Sequence, residues 1–338
     1  MKKVLVTGIS GYVGQHCAAE LLKNGYSVKG SVRSLSKTDE LTRAIKKVID
    51  PKGNLEYCEL NLLKDDGWEQ AMEGCDYVLH VASPFVTSEP KDENELIKPA
   101  VEGTQRALRA AKKAGVKRMV LTSSMVAMMG NAKGTLEINQ KSWTNVKAKG
   151  VSAYLKSKTL AEQSAWEFID NQEGAQLLEL VTINPGPIYG PTLSGNLNGE
   201  SMGMYKQLIS GKMPLLPRFA INMSDVRDVA AIHVAALKNE KANGKRFIVS
   251  SENAHKGVEM AEILKENGYS KVSTKLAPNF LLRFMAKFNN DLKGMLPFIG
   301  NTFNGDISET MKTFNWKPIP LEKTVLDTAK SVEEAMQK

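Results

Sequence analysis

The chain has 338 residues, of which 42% are hydrophobic and 24% charged, a balance typical of a globular protein with a large core. No stretch approaches the roughly 20 apolar residues that cross a bilayer, and the first residues are interpreted as a strand, not a signal peptide. The net charge is +8, but lysines are mixed with acids and no run of five like charges occurs. A solvated surface is therefore favoured over a nucleic-acid-binding one.

The predicted elements of the first half alternate between strand and helix. Strands are predicted at residues 4–6, 27–32, 54–60, 77–82, 118–123 and 177–183. Helices are predicted at residues 12–23, 38–49, about 94–114 and 154–171. Repeated strand–helix–strand units indicate an α/β fold, a Rossmann-type doubly wound parallel sheet with right-handed crossovers.

The pattern loosens after Pro185, where glycine and proline cluster as far as residue 217. We therefore predict a main Rossmann domain over residues 1–184, to which segments of about 222–250 return. A smaller, mostly C-terminal substrate-binding lobe is predicted from residues 185–221 and 251–338.

Cysteines and histidines give no sign of a disulfide framework or a metal site. Cys17, Cys58 and Cys75 are far apart and form no Cys-x-x-Cys pair, so reduced and mostly buried thiols in a cytoplasmic protein are expected. The four histidines have no metal-ligand spacing.

A glycine-rich loop joins the first strand to the first helix. Gly8, Gly11 and Gly14 have Gly-x-x-Gly-x-x-Gly spacing, which permits a tight turn, close approach of a pyrophosphate and close helix–strand packing. The helix N-terminus then attracts the phosphates. The loop predicts a dinucleotide site that comprises Gly8, Ser10, Gly11, Tyr12, Val13 and Gly14.

The end of the second strand indicates which dinucleotide binds. NAD sites usually carry a carboxylate at this point, whereas this chain has Arg33 and no acid until Asp39. A guanidinium pairs with a 2′-phosphate, and Ser34 and Lys37 add contacts, so NADP(H) is predicted. A surface arginine is the alternative interpretation.

Tyr154 and Lys158 are one helical turn apart and follow Thr122-Ser123-Ser124 by about thirty residues. A free tyrosine has a pKa of about 10, and a lysine on the same helix face is expected to lower it. A hydroxyl from Ser124, or Ser123, would hold a substrate carbonyl oxygen while Tyr154 supplies the proton.

These motifs together resemble an extended short-chain dehydrogenase/reductase over nearly the whole chain. The branch it resembles contains dihydroflavonol 4-reductases, cinnamoyl-CoA reductases and carbonyl (aldehyde) reductases. The supporting segments are residues 78–84, 96–104, 120–124, 154–166, 184–191 and 225–230. The resemblance implies NADPH-dependent reduction of an aldehyde or ketone to an alcohol.

The resemblance also assigns roles to particular positions. It implies Ser124, Tyr154 and Lys158 as catalytic residues and Arg33 at the 2′-phosphate. The other implied cofactor contacts are Asn61, Leu62, Val81, Ala82, Ser83, Thr122, Pro185, Ile188 and Ser201. Asn61 departs from the family pattern, which usually has aspartate there beside the adenine.

A hydrophobic or aromatic carbonyl compound is the expected substrate, and the protein is expected to be a monomer or homodimer. Candidate lining residues are Phe85, Met125, Met128, Tyr189, Met202, Met204, Tyr205, Phe219 and the run 280–288, each of which core packing also explains. Two other functions remain open, a nucleotide-sugar epimerase and a non-catalytic NADP-binding regulator.

Overall fold

A computed structural model describes residues 1–83, 90–130 and 134–337, without the side chains of residues 290 and 291. The candidate lining residue Phe85 lies outside this part of the chain. The strands are β1 Lys3–Thr7, β2 Ser27–Val32, β3 Leu55–Glu59, β4 Tyr77–His80, β5 Arg118–Thr122, β6 Thr135–Ile138, β7 Glu179–Pro185, β8 Ile188–Tyr189, β9 Ala220–Ile221, β10 Ser224–Asp225, β11 Arg246–Val249, β12 His255–Lys256 and β13 Thr302–Gly305. The helices are α1 Tyr12–Lys23, α2 Thr38–Lys46, α3 Trp68–Met72, α4 Asn94–Lys113, α5 Ala153–Asp170, α6 Glu200–Ile209, α7 Val226–Ala236, α8 Gly257–Glu266, α9 Asn279–Met285, α10 Asn290–Met295, α11 Ser308–Phe314 and α12 Leu321–Met336.

The main sheet has seven strands in the order β11-β7-β5-β4-β1-β2-β3, and every neighbouring pair is parallel. The strand order reverses between β1 and β4, and ligands of such sheets bind at the carboxyl ends of strands around this point. The predicted Rossmann-type α/β fold is confirmed.

Both faces of this sheet are covered, which explains the apolar runs in its central strands. Val4 and Val6 on β1 face the cluster formed with α1, α2 and α7, whereas Leu5 faces α3, α4 and α5. The alternation follows from strand geometry, since successive side chains point to opposite faces.

The predicted elements differ from the observed ones mainly at their ends. Helix α1 and strand β2 match the prediction, whereas α2 ends at Lys46 and β4 at His80. Strand β11, within the segment 222–250, pairs with β7 in the main sheet.

The structure also has a second, four-stranded sheet. One of its strands, β6, lies in the first half of the chain and was not predicted. Its order is β12-β9-β13-β6, and β6 pairs with β13, as in Thr135 with Thr302. Because β6 is four residues long and its partner lies far along the chain, its local sequence carries little signal.

The C-terminal helices form a core of their own. Helices α6, α8 and α12 enclose a cluster that includes Tyr205, Leu264 and Val325, all without exposed surface. None of the helices in the described part of the chain combines the length and apolar character needed to span a bilayer.

Arg118, at the start of β5, links the sheet to α7 although its side chain is fully buried. Its Nε donates to Glu179 (2.6 Å), its Nη2 to Glu240 (3.2 Å), and its Nη1 to the carbonyl oxygens of Ala236 (2.7 Å) and Asn239 (2.8 Å).

We expect Arg118→Met to lower the free energy of unfolding by about 3 kcal/mol, because it leaves buried acceptors without a donor. Lys117→Met is the matched control, since Lys117 also pairs with Glu240, at 3.0 Å, but is half exposed. That control should change stability by less than about 1 kcal/mol. Chemical denaturation of both variants measures the difference, and equal losses would contradict the assignment.

Candidate functional site

The glycine loop lies between β1 and α1 in a conformation suited to a phosphate group. Gly8 has a φ of +66°, which favours glycine. A Cβ on Gly14 would lie 2.4 Å from the carbonyl oxygen of Gly8, so α1 packs against the loop only because residue 14 is glycine. No side chain caps the N-terminus of α1 and no acid lies in its first turn. The residues present therefore fit a dinucleotide pyrophosphate.

Hydrogen bonds join this loop to the ends of the neighbouring strands. The Gly8 amide donates to the Ser31 hydroxyl (3.1 Å), and the Ala82 amide donates to the Thr7 hydroxyl (3.1 Å). The Tyr12 hydroxyl donates to the carbonyl oxygen of Gly190 (2.8 Å). The structure thus brings the loop together with the predicted segments after β2 and β4 and with the segment after β7.

The predicted adenosine-side residues lie beyond β2 and β3. Arg33 and Lys37 are exposed, and Ser34 caps the short 3₁₀ turn that contains Lys37. Strands β2 and β3 are paired up to Val32 and Glu59, so Arg33 and Asn61 leave the sheet from adjacent strand ends.

The three predicted catalytic residues meet at the carboxyl end of β5. Tyr154 is the second residue of α5, whose N-terminus is capped by Ser152, and Lys158 lies one turn further. Ser124 follows β5 directly in extended conformation, and its hydroxyl is near enough to Tyr154 to lower the pKa of that phenol. Two hydroxyls and an amine are therefore available at one point of the cleft.

Burial governs the protonation of this group, although Tyr154 and Lys158 both keep part of their surface accessible. It raises the pKa of Tyr154 to about 12, while the hydrogen bond from Ser124 acts in the opposite direction. The pKa of Tyr154 in the protein by itself therefore lies above that of a free tyrosine and not below it as expected, because desolvation of the phenolate dominates. Burial also lowers the pKa of Lys158 to about 8, and the charge of Glu162 partly offsets that shift.

The remaining predicted cofactor contacts lie on several different elements. Pro185 ends β7, and its carbonyl oxygen accepts from the Ser124 hydroxyl at 3.5 Å, whereas Ile188 pairs with Ser224. The Thr122 hydroxyl is engaged by His233 of α7, at 2.7 Å. Ser201 lies in the first turn of α6.

The candidate lining residues separate into three groups. Met125, Met128 and Phe219 pack in the same cluster as Tyr154. Tyr189, Met202, Met204 and Tyr205 belong to the core of the C-terminal lobe. Phe280, Phe284 and Phe288 of the run 280–288 are largely exposed. The first group therefore packs together with one of the predicted catalytic residues.

Sequence reasoning missed a buried polar group directly behind Tyr154 and Lys158. Its centre is Glu162, bound by Arg246 of β11 and by Asn184 of β7. One local feature of the sequence could have indicated Glu162. It follows Lys158 by four residues and therefore lies on the same helix face. Its partner Arg246 is 84 residues away, which local pattern reading does not detect.

Comparison with known proteins agrees with this geometry. The NAD dependent epimerase/dehydratase family matches residues 4–250. A cinnamoyl-CoA reductase of Medicago truncatula, CAD2, is 32% identical over 98% of this chain and 95% of its own. The NADPH-dependent methylglyoxal reductase GRE2 of Saccharomyces cerevisiae is 34% identical over 73% of this chain and 77% of its own.

A solved structure gives the same result over the full length. The yeast methylglyoxal/isovaleraldehyde reductase Gre2 complexed with NADPH superimposes with a TM-score of 0.81 and 27% identity over 99% of each chain. The resemblance inferred from the motifs is thereby confirmed, and so is the fold.

We expect Gly14→Ala to weaken dinucleotide binding about tenfold or more, because the added methyl forces α1 away from the loop at a cost of about 1–3 kcal/mol. Gly294→Ala, whose Cβ would meet no atom within 4 Å, is the control and should bind normally. Fluorescence titration with NADPH measures both, and unchanged affinity in Gly14→Ala would show that this contact does not shape the site.

Proposed function

Because this chain belongs to the NAD dependent epimerase/dehydratase family, we propose that it is an NADPH-dependent reductase of aldehydes or ketones. The relatives named as NADPH-dependent and cinnamoyl-CoA reductases support this function. The single observation that carries the site assignment is the placement of the Ser124 hydroxyl, at the end of β5, near Tyr154 on the first turn of α5, with Lys158 one turn away. We propose these three residues as catalytic and the glycine loop with Arg33 as the cofactor site.

The chemistry of the chain's own residues follows from their protonation. NADPH, when bound, supplies the hydride to the carbonyl carbon. Ser124 and Tyr154 each donate a hydrogen bond to the carbonyl oxygen, and both bonds strengthen as that oxygen gains negative charge. Tyr154 then donates its proton, which the raised pKa keeps in place at neutral pH. The ammonium of Lys158 stabilises the phenolate that remains.

The substrate we propose is a hydrophobic or aromatic carbonyl compound. Met125 and Met128 are buried beside Tyr154, and Phe219 is packed against the same cluster. Methionine side chains adapt to apolar groups of different shape, and an aromatic ring packs well against them.

A reductase is favoured over a dehydratase on one structural observation. Acid–base chemistry after hydride transfer needs a free carboxylate beside the catalytic serine, and the first acid after Ser124 is Glu137. Glu137 lies on β6 in the second sheet, where Asn304 donates to it at 2.7 Å. An epimerase commonly keeps its oxidised cofactor, so a purified protein without tightly bound NAD(P)⁺ would support the reductase.

We also propose a cytoplasmic location, because of the state of the cysteine thiols. Cys17, Cys58 and Cys75 are all free. Burial raises the pKa of Cys75 to about 11, so it is a poor nucleophile at neutral pH. Reduced, unreactive cysteines are typical of cytoplasmic proteins.

Tyr154→Phe should abolish NADPH oxidation with every carbonyl substrate and leave NADPH affinity nearly unchanged, because only the transferable proton is lost. The measurement is a panel of aldehydes, ketones and dihydroflavonols with the wild type and the variant. Tyr57→Phe is the control, since that hydroxyl binds Thr42 away from the site, at 2.9 Å. Persistent turnover in Tyr154→Phe would show that another group is the acid.

Arg33→Ala should raise the KM for NADPH about 10- to 100-fold and change the KM for NADH little, because one charged contact to the 2′-phosphate is lost. Arg43→Ala, on the exposed surface of α2, serves as the control and should leave both values unchanged. Steady-state kinetics with each cofactor distinguishes the variants. Faster turnover of the wild type with NADH than with NADPH would reject the role of Arg33.

A further inference from the structure

Glu162 is a fully buried carboxylate one helical turn beyond Lys158 on α5. All of its hydrogen-bond partners donate to it, and they lie on other segments or on α5 itself. They are Ser123 Oγ (2.5 Å) and Asn184 Nδ2 (2.8 Å) on Oε2, and Arg246 Nε (2.6 Å), Thr182 Oγ1 (3.1 Å) and Trp166 Nε1 (3.3 Å) on Oε1. Arg246, Asn184 and Trp166 can only donate at these contacts, so a carboxylate with two accepting oxygens suits this position.

Arg246 balances the charge of Glu162. Its Nη1 donates to the carbonyl oxygens of Gln140 (3.0 Å) and Ser142 (2.7 Å), and its guanidinium carbon lies 3.7 Å from the centre of the Trp143 ring. A buried carboxylate stays ionised only when it is paired and hydrogen-bonded, and both conditions hold here.

The same carboxylate controls the backbone on either side of the Ser124 hydroxyl. Ser123 binds Glu162 through its side chain. Asn184 donates from one nitrogen to Glu162 (2.8 Å) and to the carbonyl oxygen of Ser124 (3.2 Å). The end of β5 is therefore tied to β7 through Glu162.

Glu162 is also the anionic neighbour of Lys158. Burial lowers the pKa of Lys158, and the charge of Glu162 raises it. The other titratable groups near Lys158 are neutral at pH 7, since burial lowers the pKa of His80 on β4 to about 4 and raises that of Tyr154 to about 12. No other charged group contributes to the shift of Lys158 among the described residues.

Helix α4, which packs along α5, contributes no competing charge at this point. Gln105 of α4 donates to the carbonyl oxygen of Ser164. Glu93, at the start of α4, pairs with Lys156, a neighbour of Lys158 that points elsewhere on α5. The charge of Glu162 is thus available to Lys158.

We infer that Glu162 is a positioning residue that holds Lys158 in its ammonium form and fixes Ser124 through Ser123 and Asn184. This inference rests on the proposed function, because it assigns a role behind the same three residues. Glu162 touches neither substrate nor cofactor in this role and acts only through its neighbours.

The test is the pH dependence of kcat. Reduction by the wild type should fall as the pH rises through about 8, where Lys158 loses its proton. In Glu162→Gln this fall should move to lower pH by about one unit, since a neighbouring opposite charge shifts a pKa by at least that amount. At pH 8 the charged fraction then drops from about one half to about one tenth, so kcat falls about fivefold.

Two matched variants separate this effect from general damage. Glu167→Gln removes an exposed carboxylate of the same helix and should leave the profile unchanged. Glu162→Asp keeps the negative charge. Its kcat should fall at the same pH as in the wild type, even if the value of kcat stays reduced. A Glu162→Gln profile that coincides with the wild type would overturn the inference.

Glu162→Gln leaves Arg246 without its anionic partner and can therefore unfold. The double variant Glu162→Gln/Arg246→Gln leaves no unpaired buried charge and should fold. The double variant also removes the cation that balances Glu162, so its fall in kcat should move to lower pH by less than in Glu162→Gln. A wild-type protein without NADPH-dependent turnover would reject the proposed function, whereas an active one with an unmoved profile would reject only the role of Glu162.

Discussion

The placement of the Ser124 hydroxyl near that of Tyr154 connects the two halves of the candidate site. It needs β5 to end where α5 begins its first turn, although thirty residues separate the two side chains along the chain. The parallel sheet meets this requirement, because its strand ends lie at one edge and α5 packs along one of its two covered faces. A carbonyl oxygen placed between the hydroxyls receives both donors once the Ser124 hydroxyl turns away from the carbonyl oxygen of Pro185, and two such donors stabilise charge in a transition state.

Desolvation determines the charge states at this site more than the neighbouring lysine does. An isolated Tyr-x-x-x-Lys pair on a helix predicts an acidified phenol, but burial keeps Tyr154 protonated and makes Lys158 a weaker base. A protonated tyrosine is the form that reduction needs. The buried pair of Glu162 and Arg246 then keeps an anion close to Lys158 at a position that water screens little.

Much of the fold was readable from local pattern. The helix at 12–23 and the strands of the Rossmann half were predicted because their apolar periodicity and glycine stops are local signals. The second sheet was missed, since β6 and β13 are short strands that pair across more than 160 residues. Their hydrogen bonds join segments that are far apart along the chain.

The candidate site also combines residues that local sequence predicts with residues that only the folded chain brings together. The amino-acid order was sufficient to predict the glycine loop, Arg33, Ser124, Tyr154 and Lys158 as site residues, because each belongs to a motif whose spacing reflects one turn or one strand end. Packing decided which apolar residues share a cluster with Tyr154. Met125, Met128 and Phe219 lie in that cluster, whereas Tyr189 and Tyr205 belong to another core. The group around Glu162 likewise draws Arg246 and Asn184 from distant strands. Burial and long-range pairing depend on neighbours in space, and only the folded chain specifies those.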